Sequence, residues 1–225
     1  MRVLPILFNT EMVRAILDGR KTVTRRVVKE IPVETHRIEE NVFPDGHKDF
    51  EYHWGVFRAD VHGFLDFANI VVPPYQPGDI LYVRETWQEC EWGYLYRAWP
   101  KGLHQPGTYK GMPWRPSIYM PKEATRIWLK VTDVRMERLH DITEEQAIAE
   151  GAVDNRGFIH SPDNEYTEIH TAKEHFSKIW DSTIKKTEAD RYGWDENPWV
   201  WAIKFERCEK PDENESARSS EWRGK

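Results

Sequence analysis

Apolar side chains near the start of the chain repeat first with the spacing of a strand and then with that of a helix. Residues 3–8 form a short apolar run that predicts a first strand. The helical repeat that follows places one apolar stripe on a helix, at Met12, Val13, Ile16 and Leu17. Thr10 is the predicted N-cap of this helix, and Gly19 is predicted to end it.

Later strands are predicted by alternation and by β-branched or aromatic content. The clearest candidates are residues 80–87, 126–134 and 199–206. Residues 56–58 and 70–72 are weaker candidates in a segment that is otherwise hard to organise. Two further helices are predicted at residues 143–151 and 171–180.

The helix at 143–151 has signals at both ends. Thr143 followed by Gln146 three residues later matches a capping box, and Gly151 closes the helix. Apolar or aromatic positions on one face support the second helix, at Ala172, His175, Phe176 and Ile179.

Five or six strands with a few short helices, in non-alternating order, indicate the α+β class. We predict one domain over residues 1–208, built on a small mixed β-barrel flanked by short helices. Long loop insertions are predicted near residues 29–77 and 90–118, the first of them an insertion or a mobile flap. Residues 209–225 are charged and poor in apolar residues, which predicts a disordered tail.

The composition supports one sizeable core, because 39% of the 225 residues are hydrophobic and 11 are Trp. No stretch approaches the roughly 20 apolar residues of a membrane span, and no signal peptide is recognised. The two cysteines, Cys90 and Cys208, have no motif spacing. A cytoplasmic protein with reduced thiols and no membrane partner is expected.

Charge is distributed unevenly along the chain. The net charge of −6 argues against a generally basic nucleic-acid coat. Residues 11–30 nevertheless carry six cations against three acidic residues. A local basic site on an acidic protein favours selective contact with a nucleotide or a polyanion.

Lys21 and Thr24 lie three residues apart within this basic segment. Repulsion from Arg20, Arg25 and Arg26 should lower the pKa of Lys21. A neutral amine could then act as a base on the threonine hydroxyl, which would become a nucleophile. From spacing alone, contact between these cations and phosphate is the stronger interpretation.

Glu150 is a second candidate, because a carboxylate is disfavoured at a helix C-terminus, although a solvated helix end is the simpler interpretation. Two groups that combine Trp with Arg and a polar residue could stack on a base or bind phosphate; they contain Arg84, Glu85, Trp87, Trp114, Arg115 and Ser117. The alternative is structural, with Arg84 and Glu85 as an ion pair and the Trp side chains packed in the core. No cysteine or histidine cluster has zinc spacing, and His170 and His175 are predicted to be separated on a helix. No metal site or cofactor is predicted.

Together these motifs resemble the ASCH domain, a β-barrel related to the PUA fold of RNA-modifying proteins. The resemblance lies in Gly-Arg-Lys-Thr-Val-Thr-Arg-Arg at 19–26, Pro-Gly-Asp-Ile-Leu at 77–81, and residues 142–151. Residues 83–87, 114–117 and 197–201 are similar to the phage and prophage branch of the family. The resemblance covers roughly residues 3–207 and implies a host cytoplasmic location if the protein is phage-encoded.

Small bacterial members of that family are N4-acetylcytidine amidohydrolases. The resemblance implies that Lys21 is the proton acceptor, Thr24 the nucleophile and Glu150 the acid, with Glu144 or Glu145 as alternatives for the acid. It implies a nucleoside or RNA as partner, and a monomer is favoured. The residues then expected to bind substrate or nucleic acid are Arg20, Thr22, Arg25, Arg26, Arg84, Glu85, Trp87, Trp114, Arg115 and Ser117. Other ASCH proteins are RNA-binding or ribonucleases, so both remain alternatives.

Overall fold

The computed structural model describes residues 1–29, 31, 35–40, 54–59, 65–91, 93–99, 113–156 and 170–212. Its main sheet has five strands, which in spatial order are β1 (Val3–Leu7), β6 (Ile80–Arg84), β9 (Trp128–Arg138), β10 (Trp199–Cys208) and β2 (Val23–Val27). β1 and β6 are parallel, and the other pairs are antiparallel. The α+β class is confirmed.

Two smaller sheets accompany the main sheet. One contains β3 (Thr35–Glu40), β4 (Trp54–Ala59) and β5 (Leu65–Val71), and the other contains β7 (Trp87–Cys90) and β8 (Gly93–Tyr96). The α-helices are α1 (Thr10–Leu17), α2 (Glu144–Ala149), α3 (Ala172–Thr183) and α4 (Ala189–Tyr192). No helix in the described ranges is long and apolar enough to cross a bilayer.

The locally encoded elements were predicted well, including the capping box of α2 and the positive φ of Gly19 after α1. The predicted N-cap Thr10 is wrong by one residue. Asn9 has the extended conformation of an N-cap, and its side chain accepts a hydrogen bond from the Met12 N–H. The strand predicted over residues 80–87 is also divided, because β6 ends at Arg84 and Trp87 begins a separate hairpin.

The predicted closed barrel is wrong, since the main sheet of the described residues is open between β1 and β2. Pro5, in β1, has no N–H to offer a further strand. The Pro5 carbonyl accepts from Tyr75 Oη at 2.8 Å, and the Leu7 carbonyl accepts from Arg26 Nη2 at 2.9 Å. Side chains therefore cover the outer edge of β1 where a closed barrel would place a strand.

The first predicted insertion contributes to the core instead of forming a flap. Trp54, Val56 and Val71, from β4 and β5, are buried in the same hydrophobic cluster as the main sheet. The ring centroids of Trp54 and Trp201 lie 4.7 Å apart in an edge-on contact. The predictions for residues 41–53, 100–112 and 213–225 lie outside the described residues.

Candidate functional site

The candidate site forms where the C-terminal ends of α1 and α2 meet the start of β2. The backbone N–H groups of Arg20 and Lys21 both donate to the Ala15 carbonyl of α1, at 2.9 and 3.0 Å. The Thr22 N–H donates to the Ala149 carbonyl of α2 at 2.8 Å. These bonds hold the segment that carries Lys21 against both helix ends.

Gly151 permits this close approach of the two helices. Its φ of +96° is in the left-handed region that favours glycine. A Cβ at this position would lie 2.9 Å from the Ala15 Cβ and 3.6 Å from the Lys21 Cβ. A glycine here therefore brings the end of α2, and with it Glu150, against Lys21.

Lys21 is a buried cation whose three N–H donors are all used. The residue as a whole is 2% exposed. Nζ donates to the Val23 carbonyl at 2.7 Å, to the Glu150 carbonyl at 2.9 Å and to Glu150 Oε2 at 2.7 Å. Burial lowers the pKa of Lys21, Glu150 opposes that change, and Arg26 and Arg25 lower the pKa further. The direction agrees with the sequence prediction, but burial and not repulsion is the main cause.

Glu150 accepts hydrogen bonds from two cations, because its Oε1 also receives Arg25 Nη1 at 3.2 Å. Arg25 in turn donates through Nε to Glu137 Oε1 at 2.9 Å and through Nη2 to Gln146 Oε1 at 3.0 Å. Two cations and two carboxylates thus form one buried network. Removal of one member from such a network typically costs about 3–5 kcal/mol, because it leaves a buried charge uncompensated.

The other two glutamates considered for the acid lie elsewhere. The Glu144 side chain accepts from the Lys173 N–H at 3.1 Å, and Glu145 is exposed. Among the described residues, Glu150 is therefore the carboxylate that contacts Lys21.

Thr24 lies on β2 opposite Ile203 of β10 and is 1% exposed. Its hydroxyl makes no hydrogen bond to any described residue. Lys21 Nζ donates to the Val23 carbonyl, which holds the amine beside the peptide unit leading into Thr24. The Lys21 ammonium is therefore held at the start of β2, one residue before Thr24.

A cleft of about 330 Å³ adjoins this network. Its lining consists of Leu7, Phe8, Asn9, Met12, Arg26, Thr86, Pro116, Ser117 and Thr183. Lys21, Thr24 and Glu150 do not line it. The Phe8 ring connects the two regions, since its centroid lies 5.4 Å from Arg26 Cζ and 5.5 Å from Lys21 Nζ.

Of the residues predicted to bind substrate, Arg26 and Ser117 reach the cleft. Arg20 is exposed and pairs with Asp18, Thr22 is exposed, and Arg25 is buried in the network. The cationic side chains of residues 20–26 therefore have three different environments instead of forming one basic strip.

The residues around β7 also have mainly structural contacts. Arg84 donates to the Ile118 and Met120 carbonyls, which holds residues 116–120 as a wall of the cleft. Glu85 accepts two hydrogen bonds from Arg126, at 2.9 and 3.0 Å. Burial raises the pKa of Glu85, and Arg126 opposes that rise.

Trp87 is buried, and its ring is covered by other side chains. Tyr94 meets the ring edge-on at a centroid distance of 5.7 Å, and Arg115 Cζ lies 5.1 Å from the ring. Arg115 also lies 3.7 Å from Glu89, and Trp114 is half-buried. Trp87 therefore does not present the open stacking face that the sequence suggested.

Sequence reasoning missed Phe8, Asn9, Thr86 and Thr183 as lining residues. They come from three separate parts of the chain, the β1–α1 connection, the β6–β7 connection and the end of α3, and no local motif connects them. A capping residue was expected near Asn9, but nothing in that signal indicates a cleft.

The prediction that His170 and His175 are separated is wrong, because their ring centroids lie 4.7 Å apart. His170 precedes Thr171, the N-cap of α3, so helical spacing does not apply to this pair. Within the described ranges, no group of three or more His, Cys, Asp and Glu side chains could hold a metal ion.

A comparison with protein-family models finds no match, and comparisons with curated proteins and with solved structures find no similar chain either. The ASCH resemblance therefore stays a prediction, and the functional argument depends on the geometry of the site.

Proposed function

We propose that this protein is an ASCH-related amidohydrolase that acts on N4-acylated cytidine or a related modified nucleoside. The observation that carries the proposal is the buried Lys21–Glu150 pair, 2.7 Å long, beside a Thr24 hydroxyl without a hydrogen bond among the described residues. A base, an acid and a nucleophile are thereby available in one small region. A relation to the PUA-like fold is part of the same proposal.

The first step is a proton transfer within the ion pair. Lys21 cannot accept a proton as an ammonium, and Glu150 Oε2 is close enough to take one. The transfer gives a neutral amine and a neutral carboxylic acid, and burial of Lys21 favours the neutral amine.

Lys21 Nζ then removes the Thr24 proton as the hydroxyl oxygen attacks the acyl carbonyl carbon. The C–N bond breaks, and Glu150 gives its proton to the exocyclic amine of the leaving cytidine. This step restores the ion pair and leaves an ester on Thr24. Water hydrolyses that ester by the same proton movements, and Glu150 returns a proton to the Thr24 oxygen.

The cleft is the proposed substrate site. Its volume of about 330 Å³ is at the lower end of the about 300–1,000 Å³ usual for ligand sites. Leu7, Met12 and Pro116 supply an apolar wall for a base, whereas Thr86 and Ser117 supply hydroxyls. Phe8 stands between the cleft and Lys21, so the acyl group must reach the network past its ring.

RNA binding through a basic strip is the second candidate, with RNA cleavage as its catalytic form. The internal pairing of Arg25 with Glu137 and Glu150 and the pairing of Arg20 with Asp18 count against it. These contacts use charges that a phosphate backbone would need.

The test is the deacetylation of N4-acetylcytidine and of its 5′-monophosphate, with the products measured by chromatography. Thr24→Val should lower turnover at least about 100-fold, because the nucleophile is removed with little change of shape. Thr125→Val is the matched control, since Thr125 has a buried hydroxyl without a partner and is not part of the site. It should retain wild-type turnover.

Labelled RNA is tested in parallel. Absence of deacetylation of both N4-acetylcytidine and its 5′-monophosphate by the wild type, or equal turnover by Thr24→Val, would overturn the amidohydrolase proposal. RNA cleavage that is lost in Thr24→Val would instead support the ribonuclease.

A further inference from the structure

Arg26 is half-buried and lines the cleft without an acidic partner among the described residues. Arg25 pairs with Glu137 and Glu150, and Arg126 pairs with Glu85. Arg26 makes one hydrogen bond, from Nη2 to the Leu7 carbonyl, and no described carboxylate lies within ion-pair distance of it. A half-buried guanidinium that faces a cleft and has free N–H donors can bind an anionic ligand, so a ligand is expected to supply the negative charge.

The surroundings of Arg26 favour an anion. Arg26 is the charged side chain of the cleft lining, which contains no Asp or Glu. The Thr86 and Ser117 hydroxyls make no hydrogen bond to described residues, so both can donate to a ligand. Asn9, the N-cap of α1, and Met12, in its first turn, also line the cleft, and the positive end of a helix dipole stabilises negative charge.

The chemistry of these donors matches a phosphomonoester. A guanidinium presents several N–H donors in a rigid plane that suits phosphate oxygens, and one Arg26 nitrogen is already fixed by the Leu7 carbonyl. Hydroxyl donors complete such sites without adding charge. The apolar wall of Leu7, Met12 and Pro116 then remains for the base.

We propose that Arg26, with Thr86 and Ser117, binds the phosphate of a nucleoside monophosphate, so that the substrate is an acylated cytidine nucleotide and not the free nucleoside. The identity of the base depends on the proposed function, whereas the phosphate site does not. The competing role for Arg26 is to stabilise the oxyanion of the acyl-transfer step, and the two roles predict different measurements.

Binding is measured first, by calorimetry at low salt with unacylated probes. Cytidine 5′-monophosphate should bind wild-type protein at least 10-fold more tightly than cytidine, and inorganic phosphate should compete with the nucleotide. Arg26→Gln should abolish this difference and leave cytidine binding within about threefold. Arg26→Lys, which keeps the charge, should retain part of the preference. Arg135→Gln, on the exposed part of β9, is the control and should behave as wild type.

Equal affinity for nucleotide and nucleoside, or an unchanged preference in a folded Arg26→Gln variant, would overturn the phosphate site. Turnover separates this result from the function itself. Binding of the nucleotide through Arg26 without release of an acyl group would overturn the amidohydrolase and support the phosphate site. Equal hydrolysis of N4-acetylcytidine and its 5′-monophosphate, with both slowed alike by Arg26→Gln, would assign Arg26 to the oxyanion and overturn the phosphate proposal.

Discussion

Two buried glutamates, Glu150 and Glu85, are both held by cations, yet they lie in different kinds of environment. Glu85 accepts both of its hydrogen bonds from the single guanidinium of Arg126, and this pair packs beside Tyr96. Glu150 forms ion pairs with both Lys21 and Arg25. A buried ion pair is therefore not by itself a sign of a catalytic site. The region of Glu150 is distinguished by the Thr24 hydroxyl, which makes no hydrogen bond to a described residue. It is also distinguished by Arg26, which lines the cleft without an acidic partner among the described residues.

The largest expected contrast comes from removing the cation of each pair. Lys21→Met should lower amidohydrolase turnover at least about 100-fold, because the general base is lost. Arg126→Gln should destabilise the fold by about 3–5 kcal/mol, because Glu85 stays buried without its partner, and turnover per folded molecule should be unchanged. Turnover and urea unfolding of both variants measure the contrast.

Comparable loss of turnover in folded Lys21→Met and Arg126→Gln would contradict the distinction between the two pairs. It would indicate that the Arg126–Glu85 pair also supports turnover and is not only structural.

A second contrast concerns two glycines with positive φ. Gly78→Ala, at a φ of +88° with nothing within 4 Å of the new Cβ, should cost about 1–2 kcal/mol from backbone strain. Gly151→Ala adds a clash with Ala15 at 2.9 Å, so it should cost about 1–3 kcal/mol more. It should also lower turnover, since Glu150 would shift from Lys21. Thermal unfolding and turnover of the two variants measure this, and equal effects would show that Gly151 does not set the position of Glu150.

The Lys21–Glu150 and Arg126–Glu85 pairs should also differ in how pH affects the stability of the fold. The pKa of Lys21 is lowered from 10.5, mainly by burial, so the unfolded chain binds more protons between the lowered value and 10.5. The Lys21 contribution to stability should therefore rise with pH through that window. The pKa of Glu85 is raised from 4.5, also by burial, so its contribution should fall as pH increases from about 4.5 to the raised value.

The comparison is wild type against Lys21→Met, by urea unfolding from pH 7 to the highest pH at which both variants fold reversibly. The difference in unfolding free energy should increasingly favour the wild type as pH rises. A flat or opposite trend would mean that the pKa of Lys21 is not lowered in the folded protein.

Local signals predicted the parts of the fold that depend on neighbouring residues. Thr143 and Gln146 lie three residues apart, so their capping box could be recognised from the sequence alone. The open edge at Pro5 could not, because it depends on Tyr75 and Arg26 from distant parts of the chain.

The same limit applies to the candidate site. Lys21 and Thr24 were chosen from one short motif, whereas Glu150 lies 129 positions after Lys21 and was connected to it by resemblance. The partners of Glu85 and Arg84 were not predictable, since both adjacent residues bond to segments that come more than thirty positions later.

The smallest expected effect concerns Arg84, which the sequence suggested as a ligand for phosphate or substrate. Its guanidinium instead donates to the Ile118 and Met120 carbonyls and so positions the wall that carries Ser117. Arg84→Gln should raise KM by a few-fold and leave kcat nearly unchanged, because a displaced wall weakens ground and transition states alike. An oxyanion contact would instead lower kcat about 100- to 1,000-fold. Steady-state kinetics with N4-acetylcytidine distinguishes the positioning role from an oxyanion contact. A loss confined to kcat would make Arg84 a catalytic residue.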